Sequence, residues 1–146
     1  LTLAEARILM KDPLACLRDD QFAETPGAAG PDDWTIRLMV GGRGAGKTRA
    51  GAEWVRALAL GRAPETDTPV GRIALVGETH HDVRDVMIEG PSGLLAVHAR
   101  AERPVWSPTR RRLQWGNGAV AQVFSAEDPG ALRGPQFEAA WADELA

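Results

Sequence analysis

The stretch MVGGRGAGKTRAG, residues 39–51, limits what this chain can become more than any other feature. Gly41-x-x-x-x-Gly46-Lys47-Thr48 is the Walker A pattern. Its glycines let backbone N–H groups close around an anion without Cβ clashes, and the N-terminus of a following helix adds partial positive charge. That chemistry needs a strand before the loop and a helix after it. WTIRLMV, from Trp34, is an apolar run of strand length that enters the loop directly. TRAGAEWVRALAL then places alanines, Trp54, Val55 and Leu58 at helical spacing, and Gly61 closes it. The predicted order is strand, glycine loop, helix, with Gly41, Gly42, Arg43, Gly44, Ala45, Gly46, Lys47 and Thr48 cradling nucleotide phosphates. Lys47 is expected to reach the β- and γ-phosphates of ATP, and the Thr48 hydroxyl to hold Mg²⁺.

A nucleotide hydrolase also needs a carboxylate on the metal and a base for water. Phe137 to Ala142 reads as an apolar strand ending in Asp143-Glu144, the Walker B arrangement. Asp143 is expected in the magnesium shell and Glu144 beside the attacking water. The long separation of the two motifs leaves room for an extra strand between the motif strands. The predicted fold is therefore α/β: a P-loop NTPase with a mostly parallel sheet, of the additional-strand, catalytic-glutamate class. Residues 1–30 read as a helical segment and linker, and residues 31–146 as a partial ATPase domain.

The stretch between the motifs supplies further elements. RIALVGET, from Arg72, reads as a buried strand, and Thr79 and Asp82 have the spacing of a capping box opening a helix that runs to Gly90-Pro91. His80 and His81 are adjacent, so they point to different helix faces and read as a solvated first turn rather than a metal pair. RRLQWGNGAVAQVFS reads as an inserted β-hairpin, with Leu113 and Trp115 meeting Val120 and Val123 across GNG. Arg110, Arg111 and Arg112 are either a contact to DNA phosphates or charges that protect a strand edge. The net charge of −3 argues against a generally basic surface without excluding such a patch. The one cysteine, Cys16, cannot pair within the chain and reads as a small semi-buried side chain. No run long enough to span a membrane occurs, and the N-terminus reads as a helix, not a signal peptide.

With these motifs placed, residues 30–146 resemble the ATPase domain of phage large terminase subunits, including those of prophages and gene-transfer-agent-like elements. The resemblance rests on GGRGAGKT, ETHHDVRDVMIEGPSGLL, NGAVAQVFSAEDPGALRGPQ and AAWADELA. It implies a motor that hydrolyses ATP to drive double-stranded DNA into a procapsid. The implied partners are a portal protein, a small terminase subunit and copies of itself in a ring, in the bacterial cytoplasm. Arg43 would sense the γ-phosphate, against a solvated loop charge. Arg133 would be an arginine finger on a neighbour's nucleotide, against an ion pair with Glu127 or Asp128. Trp34 would stack on adenine or anchor the core. The sequence ends two residues after Glu144, before the strand that couples hydrolysis to motion and before the nuclease domain of this family. A chain of this extent is expected to bind nucleotide, but to show little ATPase activity alone and to cut no DNA. Two other readings stay open: a helicase-like P-loop motor, or a prophage remnant that holds nucleotide without turnover.

Overall fold

A computed structural model describes residues 2, 3, 5, 6, 35–62 and 65–144. Cys16, Trp34 and most of the expected N-terminal helix lie outside the described residues. No helix among the described residues is long and apolar enough to cross a membrane.

Helix α1, Lys47–Leu60, starts directly behind the glycine loop. Gly46 stands at its N-terminus with φ 84, a left-handed conformation that glycine reaches without steric cost. The C-terminus closes as a Schellman motif: Gly61 has φ 67, its N–H donates to Leu58 O, and Arg62 N–H donates to Ala57 O. Both ends of the element were therefore written in glycine. Ala52, Val55, Leu58 and Ala59 face the core.

Strand β1, Arg72–Gly77, follows. Ile73, Ala74 and Leu75 are buried in succession, as an inner strand covered on both faces requires. Thr79 then caps the next element. Its hydroxyl accepts from Asp82 N–H and the Asp82 carboxylate accepts from Thr79 N–H, the expected capping box. Helix α2, His80–Asp82, passes at once into a π-helix, Val83–Ile88. The expected helix is present, but wound one residue wider: Glu89 N–H donates to Arg84 O, five residues back. The chain then leaves so close over the last turn that a Cβ on Gly90 would sit 2.7 Å from Val86 O. Met87 and Ile88 are fully buried, each contributing about 1.5–3 kcal/mol relative to exposure. A short helix α3, Leu94–Val97, completes that layer.

Strands β2, Val105–Ser107, β3, Arg112–Gln114, β4, Val120–Ser125, and β5, Ala139–Ala142, complete a five-stranded sheet of order β2-β3-β4-β1-β5. β1 pairs in parallel with β4 and with β5, while β2–β3 and β3–β4 are antiparallel, so four of the five strands share one direction. The α/β architecture with a mostly parallel sheet is as expected.

Three local expectations change. The β3–β4 hairpin forms, but Leu113 faces Ala121 and Gln114 faces Val120, so the anticipated Val120 and Val123 partners are replaced. Trp115 lies in the turn, where its N–H donates to Ala119 O. Nor is the hairpin a separate insertion, because its second strand is the parallel neighbour of β1. The strand expected before the glycine loop is not assigned: residues 36–42 have no ladder partner, and Ile36, Leu38 and Val40 are exposed. Alternating apolar residues establish a period, but a strand also needs a neighbour to hydrogen-bond. The strand expected from Phe137 begins instead at Ala139, once Glu138 N–H has bonded Arg72 O.

Candidate nucleotide site

The parallel strands β4, β1 and β5 end at one edge of the sheet, where open α/β sheets place their ligands. β5 delivers Asp143 to that edge, and Asp143 N–H donates to Val76 O at 3.0 Å, fixing its height against the end of β1. The Thr48 hydroxyl donates to Asp143 Oδ2 at 3.0 Å across a separation of 95 residues. The two motifs read separately from the sequence thus meet in one place. Burial raises the Asp143 pKa above the ordinary carboxylate range and neighbouring Glu144 adds to the rise, while the Thr48 hydrogen bond and Lys47 oppose it.

The loop itself is shaped by two left-handed glycines, Gly44 at φ 79 and Gly46 at φ 84. Lys47 Nζ donates to the carbonyls of Gly41, at 2.7 Å, and Gly42, at 3.1 Å, so the loop curls over its own lysine. No side chain caps the N-terminus of α1, and its first turn contains no acidic residue. The positive end of this 14-residue helix therefore meets the Asp143 carboxylate at Thr48 and not an acid of its own first turn. This donor set fits a nucleotide polyphosphate: a lysine, a helix N-terminus, and glycine backbone where side chains would intrude.

Glu144 is exposed, with φ 47, one of two non-glycine residues at positive φ among those described. A glutamate held there stores strain of about 1–2 kcal/mol, and such outliers gather at functional sites. Arg43 is exposed at the loop tip. Arg133 ends a short 3₁₀ turn, Pro129–Arg133, and is exposed. Neither Arg43 nor Arg133 has a carboxylate ion-pair partner among the described residues, so the expected alternative for Arg133, a bridge to Glu127 or Asp128, is not formed. The two histidines also part company. His81 pairs with Asp85 on the exposed face, whereas His80 Nε2 receives a hydrogen bond from Arg111 Nη1 at 2.7 Å.

One residue that supports the site carried no signal in the sequence. Gly51, in the second turn of α1, lies under the indole of Trp141 in β5, where a Cβ would fall 2.2 Å from Trp141 Cε2. That contact sets how closely the helix carrying Thr48 approaches the strand carrying Asp143. An alanine-rich helix offers no hint of which small residue is needed for space.

Comparison with curated proteins found no match, and comparison with solved structures found none either. A family model described as terminase large subunit, T4likevirus-type, N-terminal, matches residues 38–146, from within the run before the glycine loop to the end of the sequence. With three quarters of its length matched, and both the glycine loop and the Asp143-Glu144 pair inside the match, this chain belongs to the family of terminase large subunit N-terminal domains.

Proposed function

We propose that the chain binds Mg²⁺-ATP at residues 41–48 and is the ATP-hydrolysing part of a DNA-packaging motor. The observation that carries this reading is the Thr48–Asp143 hydrogen bond, because a phosphate loop and a metal carboxylate are useful only where they meet. In this reading the backbone of Gly41, Gly42, Arg43, Gly44, Ala45 and Gly46 surrounds the phosphates. Lys47 leaves the carbonyls of Gly41 and Gly42 for the β- and γ-phosphate oxygens. Thr48 and Asp143 would hold the magnesium ion, whose charge offsets that developing on the phosphates. Glu144 orients water and accepts its proton. Arg43 senses the γ-phosphate from within the loop, and Arg133 reaches a nucleotide held by the neighbouring subunit.

The wider role follows from the family. Terminase large subunits are motors of phage DNA packaging, so the substrate moved would be double-stranded DNA. A portal protein, a small terminase subunit and further copies of this chain would be partners in the host cytoplasm.

Binding is tested by calorimetry with Mg²⁺-ATP. Lys47→Ala removes the charge facing the phosphates, and affinity should fall at least about tenfold, or about 1.4 kcal/mol. Equal affinity for the wild type and the variant would remove the basis of this reading.

A further inference from the structure

The turn between β2 and β3, residues 108–111, carries Arg110 and Arg111 and hands Arg112 to the first position of β3. Edge protection does not account for these arginines. β3 lies between β2 and β4, so the sheet ends at β2, and the arginines do not line that outer edge.

Their backbone is tied down on several sides. Arg111 N–H donates to Pro108 O at 3.1 Å, Val123 N–H donates to Arg111 O at 2.9 Å, and the Gln122 amide donates to Arg110 O at 3.3 Å. Arg111 is held at φ 51, in the left-handed region that a non-glycine residue enters only under constraint. Charge sets them apart as well. Arg49, Arg56, Arg62 and Arg84 each lie against a carboxylate. Arg110, Arg111 and Arg112 have no carboxylate ion pair among the described residues, and the Arg111 guanidinium hydrogen-bonds His80. β3 runs antiparallel to β4, which places the turn at the edge of the sheet where Thr48 and Asp143 meet.

We propose that this turn grips the phosphate backbone of duplex DNA. Consecutive guanidiniums on a fixed turn match regularly spaced phosphates, each offering a forked acceptor. In a chain of net charge −3 such a row makes a local basic patch that suits an anionic partner. That the anion is DNA, and not an acidic protein surface, rests on the motor reading above. Through Arg111 and His80 the grip is joined to the first turn of α2, which springs from the end of β1 beside Asp143.

The test measures binding of a fluorescently labelled duplex by anisotropy across a salt series, with Mg²⁺-ATP binding followed on the same samples. Each phosphate neutralised contributes about −0.9 to the slope of log affinity against log salt. Arg110→Ala combined with Arg111→Ala should flatten that slope by about 2 and lower low-salt affinity at least about tenfold. Arg110→Lys with Arg111→Lys should restore most of the slope. Arg84→Ala, at a guanidinium already paired to Asp85, should leave it unchanged. Nucleotide affinity should hold in every variant, which also reports that each is folded. A slope identical in the wild type and the alanine variant overturns the proposal. Wild-type protein that binds nucleotide but no duplex at low salt overturns it as well, and leaves the nucleotide site standing. Loss of slope with an unchanged circular dichroism spectrum, in a chain whose wild type binds duplex but no nucleotide, upholds the grip and removes the ATPase reading instead.

Discussion

Single residues at this site act through what they hold apart as much as through what they bond. Glycine inside a helix costs about 0.5–1 kcal/mol relative to alanine, so Gly51→Ala should stabilise an ordinary helix. Here the added methyl would overlap the Trp141 ring at 2.2 Å, and the indole is buried and unable to swing away freely. The expected sign is reversed: a loss of about 1–3 kcal/mol, as for other overpacked cores. Denaturant unfolding would measure it. The same displacement should part Thr48 from Asp143, so Mg²⁺-dependent nucleotide affinity should fall with stability. A variant as stable as the wild type would show that the helix and β5 are not in close contact. The meeting of Thr48 with Asp143 was legible in the sequence because the proposed chemistry dictates residue type and spacing. Gly51 was not, because it serves by lacking a side chain.

Among the elements, the short helix α3 and the β3–β4 hairpin are joined by a buried histidine whose charge state can be read from its partners. The indole N–H of Trp115 can only donate, and it points at His98 Nε2 at 2.9 Å. His98 Nδ1 therefore carries the proton and donates to Leu94 O at 2.6 Å, which requires the neutral ring. Burial lowers the pKa from 6.5 to about 4, against a smaller opposing effect of the Leu94 hydrogen bond. With the folded value depressed, this contribution is complete above pH 6.5 and is lost as pH falls from 6.5 toward 4. The loss should reach about 2 kcal/mol by pH 5, at about 1.4 kcal/mol per unit. His98→Gln keeps an acceptor for Trp115 but does not titrate, so its unfolding free energy should vary less between pH 6.5 and 5. Equal pH dependence in the two proteins would place the titration elsewhere.

Elements were legible where their ends are marked by special residues: Gly46 and Gly61 for α1, Thr79 and Asp82 for α2, and the Gly116-Asn117-Gly118 turn of the hairpin. They were not legible where the partner decides. The hairpin register depends on Asn117, whose side chain donates to Ala59 O at 2.7 Å and accepts from Ala119 N–H, and nothing local announces a bond to α1. Buried charge was equally hidden. Glu53 and Arg56 look like the solvated face of α1, yet both are buried in a network that runs through Glu102 to Arg62.

At the scale of the whole molecule, the proposed catalytic base and the candidate finger both face outward. Glu144 is exposed beyond the end of β5, and Arg133 is exposed at the end of the turn after β4. No hydrogen bond or ion pair among the described residues joins Arg133 to Lys47, Thr48, Asp143 or Glu144 of its own chain. An arginine so placed is available to a second copy. Phosphoryl transfer spreads negative charge over the γ-phosphate oxygens, and a guanidinium supplied there raises the rate about 10³- to 10⁵-fold. A motor that takes this group from its neighbour hydrolyses ATP only when assembled, so fuel is not consumed away from the DNA it moves. In assembled rings, Arg133→Ala and Glu144→Gln should each abolish ATPase activity while leaving nucleotide binding intact. When the two variants are mixed, some interfaces pair an intact arginine with an intact glutamate, and activity should return in part, with its maximum near equal proportions. If Arg133 served its own site, every subunit would carry one lesion in its own machinery and no ratio would recover activity. Mixed rings that form, as judged by light scattering, yet remain inactive at every ratio would assign Arg133 to its own chain.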